Sequence, residues 1–183
     1  MEAFFATAPR GLEPALAEEL AGLGAQAAQA VPGGVSFTGP WEACCRANLW
    51  SRIASRVLWR VHEFRYAGDE DLYQAARMVD WPSLFRVERT LRVNVTAQNS
   101  PLKSLEFATL RVKDAVCDRF RDATGARPSI DRANPEVRVH AYLEERSGAL
   151  YLDTSGEPLF KRGGRAGAGE APLRENLAAG ILR

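Results

Sequence analysis

Few side chains in this sequence could do chemistry, and their spacing argues against most of it. The two histidines, His62 and His140, each fall in an alternating run, opposite the apolar positions. General acid–base and nucleophilic catalysis need a base within hydrogen-bond reach of the group it serves. Neither histidine has a cysteine or serine placed that way, so both read as solvated strand residues. Carboxylates cluster at Asp69-Glu70-Asp71 and at Glu144-Glu145. The first cluster stands at a helix start, where the dipole favours negative charge, and the second borders a hairpin turn. Cys44, Cys45 and Cys117 fit neither a zinc site nor a disulfide framework. The glycines of Gly163-Gly164-Arg165-Ala166-Gly167-Ala168-Gly169 imitate a nucleotide loop. A dinucleotide fingerprint, however, sits between a strand and a helix of a βαβ unit, and here Pro172 follows, so the stretch reads as a linker. Trp50 and Trp59 could stack on bases, but core packing accounts for both. These residues make no active site.

The balance of the chain is equally plain. Its 183 residues carry 24 Lys+Arg against 23 Asp+Glu, a net charge of +1, so no global field draws it to a polyanion. Only Lys103, Lys113 and Lys161 are lysines, a skew that genomic base composition explains. There is no long apolar span and no basic, then apolar, leader, so no membrane segment or signal peptide is expected. With so few cysteines, a reducing cytoplasm is the expected location.

The elements that must position any site alternate regularly. Phe4 to Thr7 predicts a strand, and Leu12, Leu16, Leu20 and Leu23 a helix with Pro14 in its first turn and Gly24 at its end. Ala25–Val31 and Val35–Gly39 predict a hairpin about Pro32-Gly33-Gly34. Trp41, Cys45, Leu49 and Ile53 form another helix face, and Val57, Trp59 and Val61 another strand. That order, strand, helix, strand, strand, helix, strand, is ferredoxin-like. Next come a helix capped by Asp69 and ended by Trp81-Pro82, and a strand over Leu91–Val95. A long helix follows, whose stripe is Leu105, Ala108, Val112, Ala115, Val116 and Phe120. Strands over Val137–Leu143 and Ala149–Leu152 close this part. Beyond Arg165-Ala166-Gly167-Ala168-Gly169, Leu173, Leu177 and Ile181 begin a helix with nothing to pack on.

Several stretches carry a resemblance. They are Phe5-Ala6-Thr7-Ala8-Pro9-Arg10-Gly11-Leu12-Glu13, Gly33-Gly34-Val35-Ser36-Phe37, Asn48-Leu49-Trp50-Ser51-Arg52-Ile53-Ala54-Ser55-Arg56 and Val112-Lys113-Asp114-Ala115-Val116. Arg127-Pro128-Ser129-Ile130-Asp131-Arg132, Leu152-Asp153-Thr154-Ser155-Gly156 and Arg174-Glu175-Asn176-Leu177-Ala178-Ala179 continue it. In order, they resemble the N-terminal region of bacterial 23S rRNA guanine-N2 methyltransferases. The resemblance implies an α+β chain, with a ferredoxin-like βαββαβ domain at 1–66 and an α/β THUMP RNA-binding domain at 67–165. Residues 166–183 would be a linker and the start of a methyltransferase domain that this chain lacks. In the family that further domain binds S-adenosylmethionine and holds guanine through an Asn-Pro-Pro-aromatic motif. Asn134-Pro135-Glu136 departs from the motif, so no cofactor is expected on this fragment itself.

The reading that follows is an RNA-recognition module. Its partners would be structured RNA, 23S rRNA ahead of tRNA, and the C-terminal methyltransferase domain. The cations assigned to phosphate contact are Arg111 and Lys113 on the long helix, Arg127 and Arg132 in the loop after it, and Lys161, Arg162 and Arg165 further on. The alternatives are the same module in a tRNA guanine-N2 methyltransferase, or a free-standing RNA- or protein-binding adaptor.

Overall fold

The computed structural model describes residues 1–162 and 173–182. The chain forms two compact units, and they are not consecutive in sequence. Unit one joins Met1–Trp59 to the residues from Thr154 onward, and unit two is Arg60–Asp153.

Unit one follows the predicted order: β1 (Glu2–Thr7), α1 (Glu13–Gly22), β2 (Gln26–Val31), β3 (Gly34–Gly39), α2 (Trp41–Trp50) and the first half of β4 (Arg56–Arg65). β1 lies between β3 and β4, antiparallel to both, so Phe4 faces Phe37 on one side and Trp59 on the other. β2 completes the sheet beside β3. The apolar positions of β1, β3 and α1 converge on one core of Phe4, Ala6, Leu16, Leu20, Val35 and Phe37. Gly34 is required by close approach, because a Cβ there would stand 2.2 Å from the Ala6 carbonyl oxygen.

Three helix expectations in this unit shift. The face predicted for α2 is turned, because Trp41, Cys45 and Leu49 are exposed and Ala43, Cys44 and Ala47 carry its buried side. α2 ends at Trp50, so Ile53 reaches the core from the loop that follows. Trp50, expected in the core, is 64% exposed at the end of that helix.

Unit two contains the second half of β4, α3 (Asp69–Met78), α4 (Trp81–Leu84), β5 (Leu91–Ala97), α5 (Leu105–Thr124), β6 (Val137–Leu143) and β7 (Ser147–Asp153). β5 and β6 are parallel, which demands a crossover, and α5 supplies it. β6 and β7 are an antiparallel hairpin. α5 is delimited by local chemistry. The Ser104 hydroxyl accepts from the Phe107 N–H, and Gly125 ends the helix at φ 76°, a left-handed conformation that a side chain disfavours. α3 starts on Asp69, the residue expected to cap it, so its cap lies one residue earlier. Gly68 is the cap, and the Asp71 carboxylate accepts from the Ala67 and Gly68 N–H groups.

Trp81 does more than end a helix. It opens α4, is wholly buried, and donates its indole N–H to the Ala76 carbonyl at 2.7 Å. The stripe of α5 packs Val112, Ala115, Val116 and Phe120 onto Leu91, Val93, Val139, Ala141, Leu143 and Leu150 of the sheet. Each valine, leucine or phenylalanine among them contributes about 1.5–3 kcal/mol by leaving water. Strand alternation sends Arg92, Asn94, Thr96, Arg138, His140, Tyr142 and Tyr151 to the opposite face of that sheet.

After β7 the chain returns to unit one. A 3₁₀ turn at Leu159–Arg162 and helix α6 (Glu175–Ile181) belong there. The sequence leaves this last helix nothing to pack on, but the structure seats it through a polar residue. Asn176 is 1% exposed and donates to the Ile53 carbonyl at 3.3 Å and the Ser55 hydroxyl at 2.8 Å. An apolar pattern could not announce that contact. Among the described residues, no helix is long and apolar enough to cross a membrane.

Candidate nucleic-acid interface

The structure separates the seven cations assigned from sequence. Arg111, Lys113, Arg127 and Arg132 lie in unit two, and Lys161 and Arg162 in unit one. Arg165 lies outside the described residues.

Most of those in unit two are matched by carboxylates. Arg111 pairs with Glu70 of α3 and stacks its guanidinium 4.3 Å from the centre of the Tyr73 ring. Lys113 sits 2.8 Å from Asp114. Arg127 reaches back along α5 to Asp114 at 3.7 Å and Asp118 at 3.5 Å. The pattern extends to Arg119 with Asp80 and Arg77 with Asp122. α3 and α5 thus meet along an acid–base seam in which each sign answers the other. Exposed pairs of this kind are worth about 0–1 kcal/mol each, so a phosphate could displace a carboxylate without unfolding the helix. Arg132 is exposed on the loop beyond α5 and has no ion-pair partner among the described residues. Its own carbonyl accepts from the Arg92 guanidinium at 2.8 Å, which ties that loop to β5.

The unit-one cations differ from each other. Lys161 is exposed and, among the described residues, pairs with Glu157 four positions earlier at 3.3 Å. Arg162 instead closes the end of α2. Its guanidinium donates to the carbonyls of Asn48, Leu49 and Ser51, and its Nε to that of Leu159. The last carbonyls of a helix have no partner within it, and a cation there also answers the negative end of the dipole. Arg162 is a fold residue first.

The same place gathers the stretches that carry the resemblance. Asn48 donates to the Thr154 hydroxyl at 2.9 Å and accepts from the Ser155 hydroxyl at 2.6 Å. Thr154 donates to the Val57 carbonyl, and Ser155 accepts from the Val57 N–H. With Asn176 on Ile53 and Ser55, these contacts lock the returning segment onto unit one. Nearby, Glu19 accepts from the Ser51 hydroxyl and from the N–H groups of Arg52 and Ile53. The Cys44 thiol lies 3.5 Å from the Thr154 hydroxyl, and its pKa is pushed up by burial. That thiol belongs to the core, as the sequence expects of a cysteine with no metal partners. Among the described residues no cluster of His, Cys, Asp or Glu could hold a metal ion.

Sequence reasoning passed over the strand face of unit two. In register, Arg92 stands beside Arg138, Asn94 beside His140, and Thr96 beside Tyr142. Across the next strand, His140 faces Tyr151. Beneath them Asp153, its side chain 1% exposed, lies 3.8 Å from His140 Nε2. The Tyr151 hydroxyl is pushed up in pKa chiefly by burial, and so is that of Tyr142, with the nearby Glu144 adding to the effect. The signal was present: the positions between the apolar residues of β5, β6 and β7 are not the usual small polar ones but arginine, histidine and tyrosine.

Comparison with known proteins assigns both halves. Residues 3–58 match the family model of the RlmL ferredoxin-like domain, and residues 66–153 match that of the THUMP domain. The chain is therefore an α+β protein that carries an RlmL-type ferredoxin-like domain followed by a THUMP domain. More particularly, it is 46% identical over 179 residues to ribosomal RNA large subunit methyltransferase K/L of Syntrophotalea carbinolica. The match covers 98% of this chain and 25% of that protein, so the chain spans about a quarter of its relative's length. Among solved structures, a predicted N6-adenine-specific DNA methylase from Listeria monocytogenes superposes with a TM-score of 0.86 at 28% identity, covering 99% of this chain and 47% of the other. SMU.472, a protein assigned to the methyltransferases and solved with SAH, superposes with a TM-score of 0.84 at 29% identity, covering 99% and 48%.

Proposed function

We propose that this chain is the RNA-recognition part of an S-adenosylmethionine-dependent rRNA guanine-N2 methyltransferase, acting in the cytoplasm. The similarity that carries the reading is the 46% identity to an rRNA large subunit methyltransferase, which runs through both domains. Domain boundaries at 1–66 and 67–165, with 166–183 leading into a catalytic domain, belong to the same proposal. S-adenosylmethionine would be held outside these 183 residues and would supply the methyl group. The residues present here would bind and orient the RNA, 23S rRNA rather than tRNA. Shape, phosphates and 2′-hydroxyls are the usual handles on folded RNA, and local cations suffice for them despite the net charge of +1.

Within this reading Lys113, Arg127 and Arg132 are the phosphate contacts of unit two. Arg111 would join them by exchanging Glu70 for phosphate, and Lys161 and Arg165 would contribute further along the chain. Arg162, spent on α2, is the one cation whose substitution cannot serve as a binding test. Binding of a 23S rRNA fragment should weaken linearly in log–log form as salt rises. Replacing Arg127 or Arg132 with alanine should lower that slope by about one unit each. A salt-independent interaction would overturn the reading in favour of a protein-binding adaptor.

A further inference from the structure

Helix α5 is apolar on two sides, and unit two uses one of them. Ala108, Val112, Ala115, Val116 and Phe120 are buried in its core. On the outward side of the first turns, Phe107 is 49% and Leu110 38% exposed. Side chains three apart on a helix are neighbours, so these two form one apolar ridge in water. Large apolar patches mark contact sites by themselves. This ridge is small, and it is the charges around it that say what it meets.

Those charges are ordered. Lys103 stands just before the Ser104 cap, and Asp114 lies one turn beyond Leu110. Glu106 and Lys113, seven residues apart, share one flank of the ridge. Phe107, Leu110 and Asp114 are spaced by three and four, the rhythm with which two helices seat side chains along a common seam. Lys103 and Glu106 are exposed, and neither has an ion-pair partner among the described residues. Lys113 pairs with its neighbour Asp114 at 2.8 Å, which leaves that carboxylate 40% exposed.

This order reads the same after a half-turn. A second α5 can be laid antiparallel on the first, with the symmetry axis midway between Phe107 and Leu110. Phe107 of each copy then meets Leu110 of the other. Lys103 falls opposite Asp114, and Glu106 opposite Lys113, on both sides of the axis. An isologous contact needs a self-complementary patch of this kind, in which residue i meets j while j meets i. Parallel helices in register would set Lys103 against Lys103 and Glu106 against Glu106.

From this pattern we propose that the outward ridge of α5 docks a second copy of this chain, through an antiparallel contact of the two α5 helices. From Lys103 to Asp114 the seam is about 17 Å long. A contact that short lies at the small end of specific interfaces, so the dimer is weak, with a Kd of about 10–100 μM. It covers Lys113 and the surroundings of Arg111, so it is a form of the RNA-free chain. The inference does not rest on the RNA-recognition reading.

Sedimentation velocity of the full 183-residue chain, free of RNA, tests it over about 5–300 μM protein. Wild type should pass from monomer to dimer across that range. Phe107→Glu sets a carboxylate against Leu110 in both halves of the contact and should weaken the dimer by about tenfold or more. The side chain is half exposed, so the fold should survive, and circular dichroism checks that. Glu106→Lys and Lys113→Glu each create two like-charge pairs and should each weaken the dimer about fivefold. The double variant restores opposite charges and should return to within about twofold of wild type, a rescue that loss of folding cannot imitate. The inference is overturned if wild type stays monomeric to the top of the range, or if folded Phe107→Glu dimerises like wild type. It is overturned as well if the double variant dimerises no better than the single ones. None of these results touches the RNA-recognition reading, which stands or falls on salt-dependent binding of RNA.

Discussion

Arginine serves different ends in the two units. In unit one Arg162 donates to four backbone carbonyls and fixes the end of α2, while Asn48, Thr154, Ser155 and Asn176 complete a polar lock around it. In unit two Arg111, Arg119 and Arg127 answer the carboxylates of Glu70, Asp80 and Asp118, all of which water reaches. A cation tied to backbone is part of the architecture. A cation tied to a solvated carboxylate is a loan that a better anion can call in. Residue type and local sequence do not distinguish the two; the partner does.

The sharpest test of this contrast is Arg162→Ala. It strands the carbonyls of Asn48, Leu49 and Ser51 together, and urea unfolding should show a loss of about 2–3 kcal/mol. Arg162→Lys should recover little, since one ammonium lacks the planar fork that spans several acceptors. A loss no larger than that of Arg111→Ala would break the comparison.

Next in size is Asn176→Ala. It removes the only polar link from α6 to Ile53 and Ser55 among the bonds described, and should cost about 1–2 kcal/mol. Thermal melts should show it, with unit two unaffected.

The Arg111 and Glu70 pair should be weaker still. A double-mutant cycle should give about 0.5 kcal/mol, shrinking as salt is added. A coupling several times larger would mean that the seam is architecture after all.

The smallest effect is one of pH. Glu13 accepts from the N–H groups of Gly11 and Gly33, and its carboxyl is held below the usual range, first by its own backbone N–H and then by these two. A carboxyl depressed on folding stabilises above its unfolded pKa and ceases to do so as pH falls through the folded value. Glu13→Gln should therefore flatten the acid limb of the stability curve below about pH 4.5 and leave neutral pH nearly unchanged. An unchanged acid limb would show that the N-terminal turn gains nothing from the charge.

Much of the fold was legible because apolar periodicity is local. Leu16 with Leu20, and Val112 with Ala115 and Val116, declare their helices, and the strand, helix and turn order of unit one follows from such marks. Contacts between residues remote in sequence were not legible. Asn48 meets Thr154 and Ser155 across more than a hundred residues, and Asn176 meets Ile53 across 123. Trp50 carries no local sign that α2 stops before its ring can turn inward. The candidate site was legible only in part. The sequence showed which cations exist and sets Asp114 beside Lys113, but the Glu70 that answers Arg111 lies on another helix. The tyrosines and His140 stood in plain alternation, yet only strand register brings Tyr151 beside His140.

The closing lock also sets an order of manufacture. Leu159, Arg162 and Asn176 are synthesised only after the whole of unit two, yet they complete a unit that opens with Met1. On the ribosome, chains are made at about 5–20 residues per second and N-terminal parts ordinarily fold first. Here unit two, contiguous from Arg60 to Asp153, has all its pieces earlier. The first fifty-nine residues must wait, with α2 uncapped and part of their core open, until the chain comes back to them. The middle of this polypeptide can mature before its beginning.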